Sequence, residues 1–186
     1  MNLHKWLAFP AAALAIASCD TVRVTDLESG MAFYDGSFQY ATRSGAIKTS
    51  VIGSPFSGRA SDGFAANVRN AMGNAPFGHD VAFVPATRDK SKNAFHVVAL
   101  FNGVNPLNER EICERDVEIA TQPNTSTTSM VAIFCQGKHP ISYASGFVDS
   151  LSGPNDPRFR KLVVQVARAM IPGYDADWNS SGFTPF

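Results

Sequence analysis

Few side chains in this 186-residue chain are placed to do chemistry. His79-Asp80 is the one histidine with a neighbouring carboxylate, and an imidazole steered by an acid can take a proton from water, as in a hydrolase. The same pair also reads as a loop that precedes a strand. His96 falls inside an apolar run and reads as a core or face residue, and His139 precedes Pro140 in a turn. Glu109, Glu111, Glu114 and Asp116 alternate with Arg110 and Arg115, the pattern of a solvated, self-neutralising face. Asp175-Ala176-Asp177 opens like a calcium loop but lacks the later glycine and closing glutamate. The cysteines, Cys19, Cys113 and Cys135, form no CxxC, and the histidines are widely spaced, so neither a metal site nor a cofactor is expected. GxSxG, P-loop and HExxH sequences are all missing.

The first eighteen residues carry one charged side chain, Lys5, ahead of an apolar run from Trp6 to Ala17. That run is short of the roughly 20 residues a spanning helix needs, Pro10 interrupts it, and it ends in small residues, as an export signal does. It closes on a cysteine. Ile16-Ala17-Ser18-Cys19 resembles the lipobox of bacterial lipoprotein precursors. The resemblance implies that the Cys19 thiol receives a diacylglyceryl group and that cleavage leaves Cys19 as the first residue of the mature chain. More than one acyl chain is needed for a stable tether, since each buried methylene contributes only about 0.8 kcal/mol. An ordinary cleaved signal with a chance cysteine is the alternative, and it would release a soluble protein. Asp20, by resemblance to enterobacterial lipoproteins, implies retention in the inner membrane ahead of the outer.

With Cys19 assigned to lipid by that resemblance, Cys113 and Cys135 remain as an even pair in an oxidising compartment. A disulfide is the expected state, with two buried free thiols as the alternative. After residue 18 the chain holds 15 basic and 16 acidic side chains, so no nucleic-acid partner and no polybasic grip on anionic lipid are expected. The expected partners are the membrane, through the N-terminal anchor, and an envelope protein.

The elements that would position these residues follow from periodicity. Residues 19–35 read as the lipidated N-terminus and a flexible tether with a reach of roughly 20–25 Å. Ser37–Thr42 and Ala46–Ile52 read as a hairpin across Arg43-Ser44-Gly45. The stretch from Tyr40 to Phe56 is similar to uncharacterised proteobacterial envelope lipoproteins, to which no activity attaches. Ser61–Met72 carries an apolar stripe of Phe64, Ala65, Val68, Ala71 and Met72, with Ser61 as its cap. Asp80–Ala86 and Ala94–Phe101 are expected to pair as a second hairpin, the latter a central strand covered on both faces.

Asn102–Arg110 reads as a loop, Glu111–Thr121 as a weak strand with Val117 and Ile119 inward, and Gln122–Ser129 as a polar turn. Met130–Gln136 and His139–Val148 read as strands, and Cys113 and Cys135 would staple Glu111–Thr121 to Met130–Gln136, two adjacent antiparallel strands joined by the polar turn. Asp156 then caps a helix with Pro157 in its first turn and a stripe of Phe159, Leu162, Val163, Val166, Ala169 and Met170. Tyr174, Trp178 and Phe183 make the tail apolar enough to pack on the body. Pro55-Phe56, Pro76-Phe77 and Pro185-Phe186 each read as a turn followed by a core-edge plug, or together as an exposed aromatic patch.

The expectation is one α+β domain over residues 36–186, a mainly antiparallel sheet of six or seven strands with two amphipathic helices on it. The expected function is a non-catalytic binding or scaffolding lipoprotein of the cell envelope facing the periplasm. The alternative is an envelope hydrolase using His79 and Asp80.

Overall fold

The computed structural model describes residues 22–29, 36–57, 59–86, 94–104, 108–114, 119–123 and 126–171, with only the backbone of residues 25–29. Cys19, Asp20, Val117, residues 87–93 and 175–177, and Tyr174, Trp178, Phe183 and Phe186 lie outside them.

The chain is a single α+β domain. Its elements run β1 (Arg23–Ser29), α1 (Ser37–Ala41), β2 (Ala46–Ile52), α2 (Asp62–Met72), β3 (Ala82–Pro85), β4 (Phe95–Phe101), α3 (Glu109–Cys113), β5 (Thr127–Gln136), β6 (His139–Asp149) and α4 (Pro157–Ala169). The strands form one six-stranded sheet in the order β1-β6-β5-β4-β2-β3. It is mixed: β1, β6, β5 and β4 pair antiparallel in turn, whereas β2 runs parallel to both β3 and β4.

Period-two alternation splits the apolar side chains between two faces. On the first, Val97, Ala99 and Phe101 of β4 and Met130, Ala132 and Phe134 of β5 meet α2 and α4. Phe64, Phe101 and Phe159 close this face with ring centroids 5.4–5.7 Å apart. On the second, Val98, Leu100, Ile133 and Cys135 form a smaller cluster with Ile112, Cys113 and Ile119. Gly146 on β6 sets how closely α4 approaches: a Cβ there would lie 2.7 Å from Val166 Cγ2. Only glycine fits at that spacing.

Both long helices start and stop as their sequences dictate. Ser61 Oγ accepts from Phe64 N at 3.2 Å, and Asp156 caps α4 with Pro157 in the first turn. Phe159, Leu162, Val163, Val166 and Met170 are buried beneath α4. As expected, β4 is buried on both faces, and Phe56 and Phe77 plug the core: Phe77 packs 5.0 Å from Phe38, and Phe56 packs 5.5 Å from Phe159.

Four expectations are corrected. Ser37–Thr42 is not a strand: Phe38 and Thr42 are the buried pair, an i, i+4 spacing, and α1 forms there with Thr42 Oγ1 donating back to Phe38 O at 2.7 Å. The second hairpin does not form either, because β2 lies between β3 and β4 and the β2-α2-β3 stretch is a parallel crossover. Pro85, which has no N–H to donate, sits on β3 at the sheet edge, where that loss is tolerated. Within the expected strand Glu111–Thr121, Glu111–Cys113 belongs to helix α3, capped by Asn108 Oδ1 accepting from Glu111 N at 2.9 Å. Finally, the expected tether contains β1, paired along β6 from Arg23↔Phe147 to Ser29↔Ser142. Val22 already packs against the core.

Candidate functional site

His79 stands at the end of the sheet where β2 and β3 begin. Its Nε2 is 2.8 Å from Thr42 Oγ1, and its Nδ1 is 3.1 Å from Phe77 O. Phe77 O can only accept, so Nδ1 carries the hydrogen and donates to it, while Nε2 meets the Thr42 hydroxyl, whose proton Phe38 O also attracts. No bond between His79 and Asp80 occurs among the described residues. The imidazole therefore acts as a brace between α1 and the Phe77 turn, with both nitrogens engaged by protein oxygens.

His96 is 2% exposed within β4, with Nδ1 3.2 Å from Ala94 O. His139 begins β6 and is exposed. No group of three or more His, Cys, Asp or Glu among the described residues stands close enough to hold a metal ion. No helix among them is long and apolar enough to cross a membrane.

Cys113 and Cys135 are joined in a disulfide with Cα atoms 5.9 Å apart. The pairing matches the sequence reading, but the geometry differs from it. Cys113 is in α3 and Cys135 in β5, so the bond clips a short helix to the sheet rather than strand to strand.

The feature that sequence reading did not single out is a groove of about 490 Å³ between α2 and the start of α4. Asn67 and Asn70 border it from one side of α2 at i and i+3, and Asn74 does so from the turn that follows the helix. Asn155 and Arg160 face them, and Ala71, Pro154, Pro157 and Phe159 supply apolar surface. The volume suits a small ligand or a short segment of a larger one. A carboxamide can both donate and accept, which matches neutral polar groups such as amides or hydroxyls, and Asn74 Nδ2 already donates to Asn70 O at 2.6 Å.

Asp156 borders the groove but is fully engaged. Arg158 makes a two-armed pair with it, Nη2 to Oδ2 at 2.7 Å and Nε to Oδ1 at 3.0 Å. Ser152 N and Oγ each donate to Oδ2 at 3.1 Å, and Arg158 N donates to Oδ1 at 2.9 Å. The Arg158 guanidinium beside it, chiefly, holds the carboxyl well below the usual carboxylate range; burial pushes the other way and loses. Asp156 is therefore a fastener for the loop before α4, with its lone pairs committed. What remains in the groove can bind and orient a ligand, and offers no nucleophile or available base.

No family model matches the chain, and no curated protein matches it. Among solved structures it is similar to the PelC dodecamer from Paraburkholderia phytofirmans, at 13% identity and a TM-score of 0.42, over 81% of this chain and 98% of that one. A substituted form of the same PelC dodecamer shares 18% identity at a TM-score of 0.37, with the same coverage.

Proposed function

We propose that this chain is a lipid-anchored, non-catalytic binding protein of the bacterial cell envelope, held by acylated Cys19 and presenting the amide-lined groove to a polar, uncharged segment of a partner. The observation that carries this reading is the closeness of two features. The cysteine of Ile16-Ala17-Ser18-Cys19 lies only three positions before Val22, which already packs on the domain. The folded body thus begins almost where a processed lipoprotein would begin. The Cys113–Cys135 bond fits an oxidising compartment such as the periplasm. Asp20 favours the inner membrane by the sorting resemblance.

The groove supplies the binding side of the proposal. Asparagine is a poor residue for a helix interior, so Asn67 and Asn70 on one side of the 11-residue α2 serve the helix badly and a polar ligand well, and Asn74 extends the same border two residues beyond the helix. The hydrolase alternative would need an available ring nitrogen on His79, and the Thr42 and Phe77 contacts occupy that ring.

The test is a photo-reactive amino acid placed at Asn70 in the full-length protein in cells. One dominant adduct is expected, and it should disappear when Asn67 and Asn74 are both changed to alanine while circular dichroism stays unchanged. An adduct pattern indifferent to those changes would remove the groove from the account. Loss of the cellular phenotype on His79→Ala, with folding and the adduct intact, would instead favour the hydrolase.

A further inference from the structure

We infer that one end of the sheet, carrying Arg23, Val24 and Val104, faces the bilayer at contact distance, and that the opposite end, carrying Tyr40 and Lys138, faces away. This rests on the acylation of Cys19 proposed above and adds an orientation to it. The argument is one of lengths. Three residue steps separate Cys19 from Val22, and a fully extended chain covers at most about 11 Å in that interval. Val22 packs on the core, and β1 is paired to β6 from its first residue, so no slack follows.

A single transverse row marks the end in question. Arg23 pairs with Phe147, Phe147 with Ser129, and Asn102 N donates to Ser129 O at 3.1 Å. Asn102 joins this end to the segment before β5, its Nδ2 donating to Gln122 O at 3.0 Å and its Oδ1 accepting from Ser129 N at 2.8 Å. Two positions beyond it, Val104 is 52% exposed, and Val24 on the edge strand is 38% exposed. Among the residues whose side chains are described, three large hydrophobics are exposed, these two and Tyr40, which is at the other end beside Phe95. The Arg23 guanidinium lies 5.7 Å over the Phe147 ring, an apolar stem with a cationic tip of the kind that suits the headgroup layer.

The far end cannot take this place. β6 runs the length of the sheet in 11 residues, which is about 35 Å, and the turn carrying Lys138 lies beyond its start. A leash of about 11 Å does not reach round that distance.

The experiment uses the acylated full-length protein in vesicles of phosphatidylethanolamine and phosphatidylglycerol doped with a lipid that bears a nitroxide on its headgroup. Val104→Cys, Val24→Cys and Lys138→Cys are labelled separately with a fluorophore, the native disulfide being left intact. Quenching at positions 104 and 24 should exceed that at 138 several-fold. Acylated, vesicle-bound protein quenched equally at all three, or most at 138, overturns the orientation and leaves the anchor standing. Protein that carries no acyl group and stays off the vesicles overturns the anchor, and the orientation with it.

Discussion

On one side of the sheet, Val97, Ala99, Phe101, Met130 and Phe134 lie under two helices of 11 and 13 residues and a cluster of phenylalanine rings. On the other, Val98, Leu100 and Ile133 lie under a helix of five residues held by a disulfide. The difference follows from size. Ordering five residues costs about 5–10 kcal/mol of backbone entropy. Burying Ile112 contributes about 2–3 kcal/mol, so α3 cannot be held by burial alone even with its few hydrogen bonds. The large face is self-supporting; the small one depends on a covalent bond. A domain can therefore close a second, thin core cheaply in residues where the compartment allows disulfides.

The sharpest break of this comparison is on the large face. Phe101→Ala should destabilise the domain by about 3–5 kcal/mol in denaturant titration, because Phe64 and Phe159 cannot both collapse into the space. Next comes the staple. Cys113→Ala, Cys135→Ala and the double change should each cost about 3 kcal/mol, the value expected for a loop closed across 22 residues. The double variant should match each single one, since each removes the same bond. Hydrogen exchange should show Ile112 and Cys113 losing protection while α4 keeps its own. A uniform loss across both faces would contradict their independence.

Smaller effects sharpen the picture on the large face. Gly146→Ala should cost about 1–3 kcal/mol, since the new methyl meets Val166 Cγ2 and forces α4 outward. Asp156→Ala should cost about 1 kcal/mol or somewhat more, the value of a helix cap together with its Arg158 pair. The pH dependence of that last effect has a definite sign. The carboxyl is more acidic folded than its ordinary 3.8, so its contribution is complete above that value and fades as the pH falls below it. The stability gap between wild type and Asp156→Ala should therefore hold from neutral pH down to about 4 and narrow below; a gap that widens in acid would contradict the assignment.

Much of this was legible in local sequence. Helix α4 could be read whole, from its Asp156-Pro157 start through its apolar stripe, and so could α2, β5 and β6 as elements. Each of these has a periodicity that its own burial satisfies. The parity of the cysteines pointed to the disulfide. Pairing of strands was not legible, because it is decided between segments distant in sequence: β2 passes over its neighbouring hairpin solution to sit between β3 and β4.

Short elements misled for a different reason. In α1, Phe38 and Tyr40 alternate like a strand, while the helical spacing of Phe38 and Thr42 carries the burial. For α3 a usable signal was present in Asn108 with Glu111 three residues on, the mark of a helix start. The threonines at 127 and 128 belong to β5 and not to the polar turn expected over Gln122–Ser129, since β-branched residues favour the strand they form. The i, i+3, i+7 spacing of Asn67, Asn70 and Asn74 is the mark the groove leaves in the sequence, a polar periodicity beside the apolar one.

The anchor is the claim on which place and orientation both depend, and mass spectrometry of the mature N-terminal peptide tests it most directly. The account predicts a chain that begins at Cys19 and carries a diacylglyceryl group on its sulfur, with the Cys19→Ser variant remaining an uncleaved, unacylated precursor. A mature chain that begins elsewhere, or a Cys19 that emerges with a free thiol, would contradict it.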